Sequence, residues 1–243
     1  MYSERFNNRI NKYTEDYLKY GYSPLSMAML SDRRTIRYEE LVKNFTFYKN
    51  RQERFTFFDA GCGFGDVIKY LDYLGCKNYT YIGVDAVKEF IEFARGGYSE
   101  RRNISFSCLN YFEDDLNSFE FDYAISSQTF NDPYSEDENN IELIKEIVEK
   151  LYSKAKRGIS FNFVTDKVQF MKEGVAYHSP EEILRFAYSL SNCVFMDNGC
   201  MPYECTCTIL KDSAYDGLIY DTFREKNKEE FAKEIFVVKP KET

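Results

Sequence analysis

The feature that most constrains this chain is a glycine-rich turn that joins an apolar segment to a helical pattern. Residues 55–60 are short, aromatic and apolar, as is typical of a buried parallel strand. This run ends in Asp59–Gly65, where every second residue from position 61 is glycine, and the apolar spacing over 66–74 predicts an amphipathic helix. Glycines at such a junction let the backbone turn sharply and let a ligand approach closely. The turn therefore predicts a ligand-binding edge of an α/β sheet.

Strand and helix patterns alternate along the rest of the chain. Such alternation predicts right-handed crossovers and a doubly wound, mostly parallel sheet with helices on both faces. The connection over 197–204 is too short for a helical crossover, so the last strand is expected to pair antiparallel. Further strands are predicted at 79–84, 104–109, 121–126, 158–164, 194–196 and 205–210, and further helices at 87–94, at 141–151 and from Ser179.

The chain is expected to form a single domain in three parts. At 243 residues it is long enough for one large core. Residues 1–50 carry helical patterns at 15–20 and 38–47 and are expected to form a helical lid. Residues 51–211 are the predicted core, and the charged residues 212–243, with a helical pattern at 222–235, are read as an appendage.

A second candidate binding residue is Asp85, which closes the second predicted strand 24 residues after Gly61. An ionised carboxylate accepts hydrogen bonds only, so it suits the vicinal hydroxyls of a ribose. The dinucleotide fingerprint GxGxxG is incomplete because Asp66 stands at its third glycine, and no P-loop lysine follows. Acids on both flanks of the turn favour a cationic ligand such as S-adenosylmethionine (SAM). An NAD(P)-binding oxidoreductase stays open as the alternative, as does a non-catalytic SAM-binding module.

Two segments resemble the signature motifs of class I SAM-dependent methyltransferases. Asp59–Gly65 is similar to the glycine-rich first motif, and Ile82–Asp85 to the second, whose acid binds ribose. Residues 107–112 lie where that family usually has an acid for the adenine amino group, and here Asn110 takes its place. Residues 121–131 resemble the fourth strand and the substrate-facing loop. The resemblance spans about residues 55–211, and the first 50 residues are similar to the helical lid of small-molecule members.

This resemblance implies a Rossmann-like core of seven strands, the last antiparallel, and methyl transfer from SAM by in-line displacement. The chain is also similar to small methyltransferases of bacterial surface-polysaccharide pathways, including those that build O-methyl phosphoramidate groups of capsules. That similarity implies O-methylation of a small polar acceptor, which can be anionic. The implied cofactor contacts are Asp59, Gly61, Cys62, Gly63, Asp85, Ala86, Asn110, Tyr111 and Ser126.

Candidate catalytic residues follow the predicted fourth and fifth strands. His178 is the only histidine and titrates near neutrality, so it is a candidate general base, although it can equally be a residue that caps the helix starting at Ser179. Asp132 is the second candidate. Gln128 and Asn131 are candidate acceptor contacts, or simply part of a polar loop. Arg33, Arg34 and Arg37 either bind an anionic acceptor or form a solvated helix entry.

The amino-acid composition limits the classes of partner that this chain is expected to bind. The formal charge of −8 disfavours nucleic acid, and no apolar window reaches 18 residues, so no membrane span is expected. The polar N-terminal residues lack the pattern of a signal peptide, which favours a cytoplasmic protein. Seven scattered cysteines with no CxxC pair and one histidine predict free thiols and no metal site. The expected partner is a small-molecule acceptor, with either a monomer or a homodimer left open.

Overall fold

The computed structural model describes residues 3–27, 33–134 and 140–211. Before the sheet lie three helices and a short 3₁₀ turn: α1 Ser3–Tyr20, the turn Pro24–Met27, α2 Arg34–Val42 and α3 Thr46–Lys49. The helices that follow are α4 Val67–Tyr73, α5 Lys88–Gly97, α6 Ile141–Lys154 and α7 Pro180–Leu190. The strands are β1 Phe55–Ala60, β2 Tyr79–Asp85, β3 Ile104–Cys108, β4 Phe121–Ser126, β5 Ala155–Val164, β6 Cys193–Asp197 and β7 Glu204–Leu210.

The seven strands form one sheet in the order β3-β2-β1-β4-β5-β7-β6. Strands β1 to β5 pair in parallel, whereas β7 lies between β5 and β6 and runs antiparallel to both. The predicted doubly wound sheet with an antiparallel last strand is confirmed. The strand order reverses between β1 and β4, and ligands bind at the carboxyl ends of strands beside such a switch point.

Both faces of the sheet are buried, as the near-continuous apolar strands predict. On one face Phe58 stacks on Phe121 with ring centroids 4.5 Å apart, and this layer packs against α6 and α7. On the other face Phe57, Tyr81 and Tyr123 pack against the helices that precede β1 and against α4 and α5. Helices therefore cover the sheet on both sides and leave its strand ends accessible.

Two predicted boundaries near the N-terminus are wrong. Residues 38–47 form two helices instead of one, because Phe45 adopts an extended backbone (φ −81°, ψ 149°) and its ring packs 4.5 Å from that of Tyr123. Helix α1 starts at Ser3, twelve residues before the predicted start at 15. The helix predicted over 222–235 lies outside the described residues. Within the described ranges, no helix is long and apolar enough to cross a membrane.

Candidate functional site

A cavity of about 990 Å³, measured out to its open mouth, lies at the carboxyl ends of β1, β2 and β4. Helices α1 and α2 form its roof. The core side contributes Asp59, Gly61, Cys62, Gly63, Asp85, Ala86, Tyr111, Ser127, Gln128 and Thr129, while the roof contributes Phe6, Arg9, Ile10, Tyr13, Arg34, Arg37 and Tyr38. The predicted glycine turn and the predicted ribose-binding acid thus line one cavity.

The turn after β1 requires glycine for two reasons. Gly61 has φ +78°, a left-handed conformation that disfavours side chains, and a Cβ there would lie 2.3 Å from the Thr129 Cγ2. The backbone N–H groups of Gly61 and Cys62 both donate to the Val84 carbonyl, at 2.8 and 3.0 Å. The turn is therefore held against the end of β2, and its inner surface is open to the cavity.

Asp85 joins this turn to the end of β2. Its Oδ2 accepts the Gly63 N–H at 2.8 Å, and its Oδ1 accepts the Val87 N–H at 2.9 Å. Burial raises the pKa of Asp85 above its ordinary value, although the backbone donors at Val87 and Gly63 oppose the shift. Each carboxylate oxygen has a further lone pair, so Asp85 can still accept hydroxyl donors from a ligand.

Asp59 is the second acid of the cavity wall. Only 3% of its surface is exposed, and the Tyr81 hydroxyl donates to its Oδ2 at 2.7 Å. Burial raises the pKa of Asp59 to about 7, with the hydrogen bond from Tyr81 acting in the opposite direction. A bound cation next to this carboxyl would favour its ionised form.

Helix α1 is fastened over the cavity by polar and aromatic contacts. Arg9 forms an ion pair with Asp132, and the Tyr13 hydroxyl donates to the Asp132 Oδ2 at 2.8 Å. The Phe6 ring lies 4.9 Å from that of Phe112, measured between centroids. Asp132 is itself 8% exposed and lies behind the cavity wall, so Tyr13 is the group that links it to the cavity.

Helix α2 is fastened in a similar way. Arg37 donates from Nε to the Glu204 Oε2 at 2.9 Å and from Nη2 to the Glu204 Oε1 at 2.6 Å. The Gln128 Nε2 donates to the same Oε2 at 2.9 Å, and the Gln128 N–H donates to the Asn162 Oδ1 at 2.6 Å. These bonds hold Gln128 at φ +63°, which is rare outside glycine. Arg37 and Gln128, two predicted acceptor contacts, therefore meet at the cavity wall.

His178 is not brought to the cavity. It is 2% exposed, and its Nε2 lies 3.1 Å from the Phe130 carbonyl oxygen, beneath the loop that follows β4. Burial lowers the pKa of its imidazole, against a smaller raising effect of that hydrogen bond. A neutral imidazole in this position supports the β4 loop. In this position His178 does not contact an acceptor bound in the cavity.

Four other predicted contacts lie outside the described lining of the cavity. The Asn110 Oδ1 accepts the Phe112 N–H at 3.1 Å, so this amide is used in a local turn. The buried Ser126 hydroxyl donates to the Ala60 carbonyl at 3.2 Å, underneath the glycine turn. Arg33 is exposed and Asn131 is half-buried away from the lining.

Most of the roof was not predicted from the sequence. Phe6, Ile10, Tyr13 and Tyr17 recur at helical spacing, which indicates one apolar face of a long helix. Three asparagines and several charged residues between them obscured this pattern. Within the basic cluster, Arg34 and Arg37 line the cavity, whereas Arg33 does not.

Residues 57–154 match the family model described as a methyltransferase domain. This segment is a methyltransferase domain, and the chain is a SAM-dependent methyltransferase. The matched segment of the methyltransferase contains both Asp59–Gly65 and Asp85, and it excludes α1, α2 and β7. The match also excludes the alternative hypothesis of an NAD(P)-binding oxidoreductase.

Known proteins agree with this assignment. Rv1506c of Mycobacterium tuberculosis, which carries a provisional methyltransferase name, is 29% identical over 170 residues, covering 68% of this methyltransferase and 98% of that protein. The structure of magnesium protoporphyrin IX methyltransferase (ChlM) from Synechocystis PCC 6803 with bound SAH has a TM-score of 0.57 at 13% identity, covering 84% of this chain and 94% of that one. A DhpI–SAH complex gives 0.56 at 16% identity, with coverages of 83% and 94%. At these identities the two structures show a shared fold.

Proposed function

We propose that SAM binds in this cavity, with Asp85 accepting hydrogen bonds from its ribose hydroxyls. Gly61 and Gly63 lie against its methionine part, and Asp59 faces its ammonium group. The observation that carries this proposal is the convergence of Asp59, the glycine turn and Asp85 on one cavity wall. Two carboxyls on that wall suit a ligand with a sulfonium and an ammonium group. Ala86, Cys62 and Tyr111 complete the pocket on the same side.

We further propose that α1 and α2 act as the lid and that the acceptor is a small, polar, anionic molecule methylated on oxygen. The support is the roof, which places three arginines, Arg9, Arg34 and Arg37, at the cavity. Each is paired with a carboxylate, of Asp132, Asp66 and Glu204 respectively. An acceptor anion would share these guanidinium donors, and Gln128 offers an adjacent polar contact. Precursors of surface polysaccharides or phosphoramidates fit this class.

The chemistry needs alignment first. The acceptor oxygen forms a bond to the methyl carbon while the carbon–sulfur bond breaks, and the sulfonium becomes the neutral thioether of S-adenosylhomocysteine (SAH). Holding the two reactants in line supplies much of the rate enhancement. A hydroxyl acceptor also loses a proton. We propose that Asp132 takes it through the Tyr13 hydroxyl, because this pair reaches the cavity, while His178 supports the β4 loop.

Calorimetric titration with SAH tests the cofactor site. Asp85→Ala removes both backbone contacts and the proposed ribose contacts, so we expect SAH affinity to fall by about tenfold or more. Asp72→Asn is the matched control, because Asp72 is an exposed aspartate on α4 that pairs with Arg101. Unchanged SAH affinity in Asp85→Ala, with the control also unchanged, would contradict the proposed site.

Transfer of a labelled methyl group tests the acceptor. The methyltransferase is incubated with methyl-labelled SAM and a panel of phosphorylated sugars, carboxylated sugars and their uncharged counterparts. We expect label in an anionic member and on an oxygen atom, either as a methyl ether, which resists alkaline hydrolysis, or as a methyl ester of a carboxylate, which does not. Label confined to the uncharged members would contradict the anionic acceptor. Binding of SAH with no labelled product from a whole metabolite extract would instead support the non-catalytic module.

A further inference from the structure

A second cavity lies on the outer side of the lid, between α2 and α4. It measures about 660 Å³ out to its mouth. Arg34 and Tyr38 of α2 line this cleft and also line the proposed cofactor cavity, so these two side chains form a shared wall. We call it the α2–α4 cleft, with Lys69, Tyr70 and Tyr73 on its α4 side.

The cleft has an excess of positive charge. The Asp66 side chain, 7% exposed, pairs with both Arg34 and Lys69. Two cations on one carboxylate leave a net charge of +1 among the lining residues. Partial burial lowers the pKa of Lys69, but its hydrogen bonds to Tyr22 and Asp66 outweigh this effect and raise the pKa. The ammonium is therefore charged at neutral pH, and an anion bound in the cleft would neutralise the excess positive charge of its lining.

The same cleft presents tyrosine rings. The ring of Tyr70 lies between those of Tyr38 and Tyr73, at centroid distances of 6.1 and 6.3 Å. Tyr73 is 81% exposed, which is unusual for so large a side chain beside a cavity. Rings next to cations bind flat ring systems that carry a negative charge, because the ring stacks while the anion meets the cation.

We propose that the α2–α4 cleft holds the non-reacting part of the methyl acceptor, a ring joined to a phosphate or carboxylate. The shared wall of Arg34 and Tyr38 would place its anion next to the cofactor, from where the reacting oxygen extends into the main cavity. This inference rests on the proposed anionic acceptor and adds where that acceptor is held and that it contains a ring.

The test uses phenyl phosphate as a probe, followed by ¹H–¹⁵N NMR of the full chain saturated with SAH. Lys69→Gln removes the excess charge, and Tyr73→Ala removes the exposed ring. Two matched controls are available: Lys156→Gln changes an exposed lysine paired with Glu120, and Tyr188→Ala changes an exposed tyrosine of α7. Inorganic phosphate and phenol are titrated alongside. SAH affinity is measured on every variant.

We expect phenyl phosphate to shift the amides of Lys69, Tyr70 and Tyr73, and to bind about fivefold more weakly to Lys69→Gln and to Tyr73→Ala. Both controls should keep wild-type affinity, and SAH affinity should not change in any of the four. If inorganic phosphate binds as tightly as phenyl phosphate, the proposal that the acceptor contains a ring is overturned. No binding of phenyl phosphate to the SAH-saturated chain, or equal affinity in all variants, would overturn the proposal that the acceptor is held in the cleft. Failure of SAH to bind the wild type would overturn the proposed function instead.

Discussion

At the scale of single residues, Asp59 links stability to cofactor binding. Its pKa of about 7, against an ordinary 3.8, means that the folded chain holds the proton more tightly than the unfolded chain. Folding stability therefore decreases as pH rises from about 4 to 7, and it stays lower above pH 7. We expect Asp59→Asn to abolish this decrease, so its stability relative to wild type should rise by ~2–4 kcal/mol between pH 4 and 8.

Urea unfolding of both proteins across this pH range gives the measurement. The relative gain should be accompanied by weaker SAH binding at pH 8, because the ammonium group loses its charged partner. A stability difference that does not vary with pH would show that Asp59 titrates at its ordinary value.

Gly61 and Gly75 allow the backbone strain that a side chain causes at positive φ to be separated from its steric clash with neighbouring atoms. Both have positive φ, of +78° and +83°, but a Cβ at Gly75 meets nothing within 4 Å, whereas one at Gly61 meets Thr129 at 2.3 Å. Gly75→Ala should thus cost about 1–2 kcal/mol from backbone strain alone. Gly61→Ala should cost more and also weaken SAH binding. Thermal unfolding and titration check this, and equal costs at both positions would rule out the steric clash.

At the scale of elements, α1 depends on contacts far away in sequence. Tyr13 and Asp132 are 119 positions apart, and their hydrogen bond fixes the helix over the cavity. We expect Tyr13→Phe and Asp132→Asn each to increase amide hydrogen exchange in α1 severalfold, with the double variant little worse than either single one. Lys12→Gln, an exposed neighbour on the same helix, is the control. Fully additive effects would mean that the two residues act separately.

The same long-range contacts explain what sequence analysis could and could not predict. The strands were predicted because each is an apolar run, and Asp59, Gly61 and Asp85 because they end such runs. Arg37 pairs with Glu204 across 167 positions, and nothing local indicates this partner. Asn110 lies at the predicted sheet edge, yet its side chain turns to the Phe112 N–H instead. The sequence thus predicts which residues lie at the ends of strands, but it does not predict which side chains form hydrogen bonds with one another.

At the scale of the whole molecule, ligand binding should be visible as added stability. A ligand at about 100 times its dissociation constant adds ~2.7 kcal/mol to the free energy of unfolding. For a chain of this size that corresponds to a rise in Tm of about 5–10 °C. Scanning fluorimetry should show this shift with SAH and none with NADH. A comparable shift with NADH would contradict a cavity built for an adenosyl sulfonium.

The three ion pairs of the roof all have the same polarity. In each, the arginine comes from α1 or α2 and the acid from the sheet side, at Asp132, Asp66 or Glu204. Opening of the proposed lid would have to separate three attractions of the same orientation at once. It would leave a basic surface on the two helices facing an acidic surface on the core. Ionic strength weakens such attraction between separated surfaces. Exchange of spent cofactor for fresh should consequently quicken in concentrated salt, even where the chemical step is unaffected.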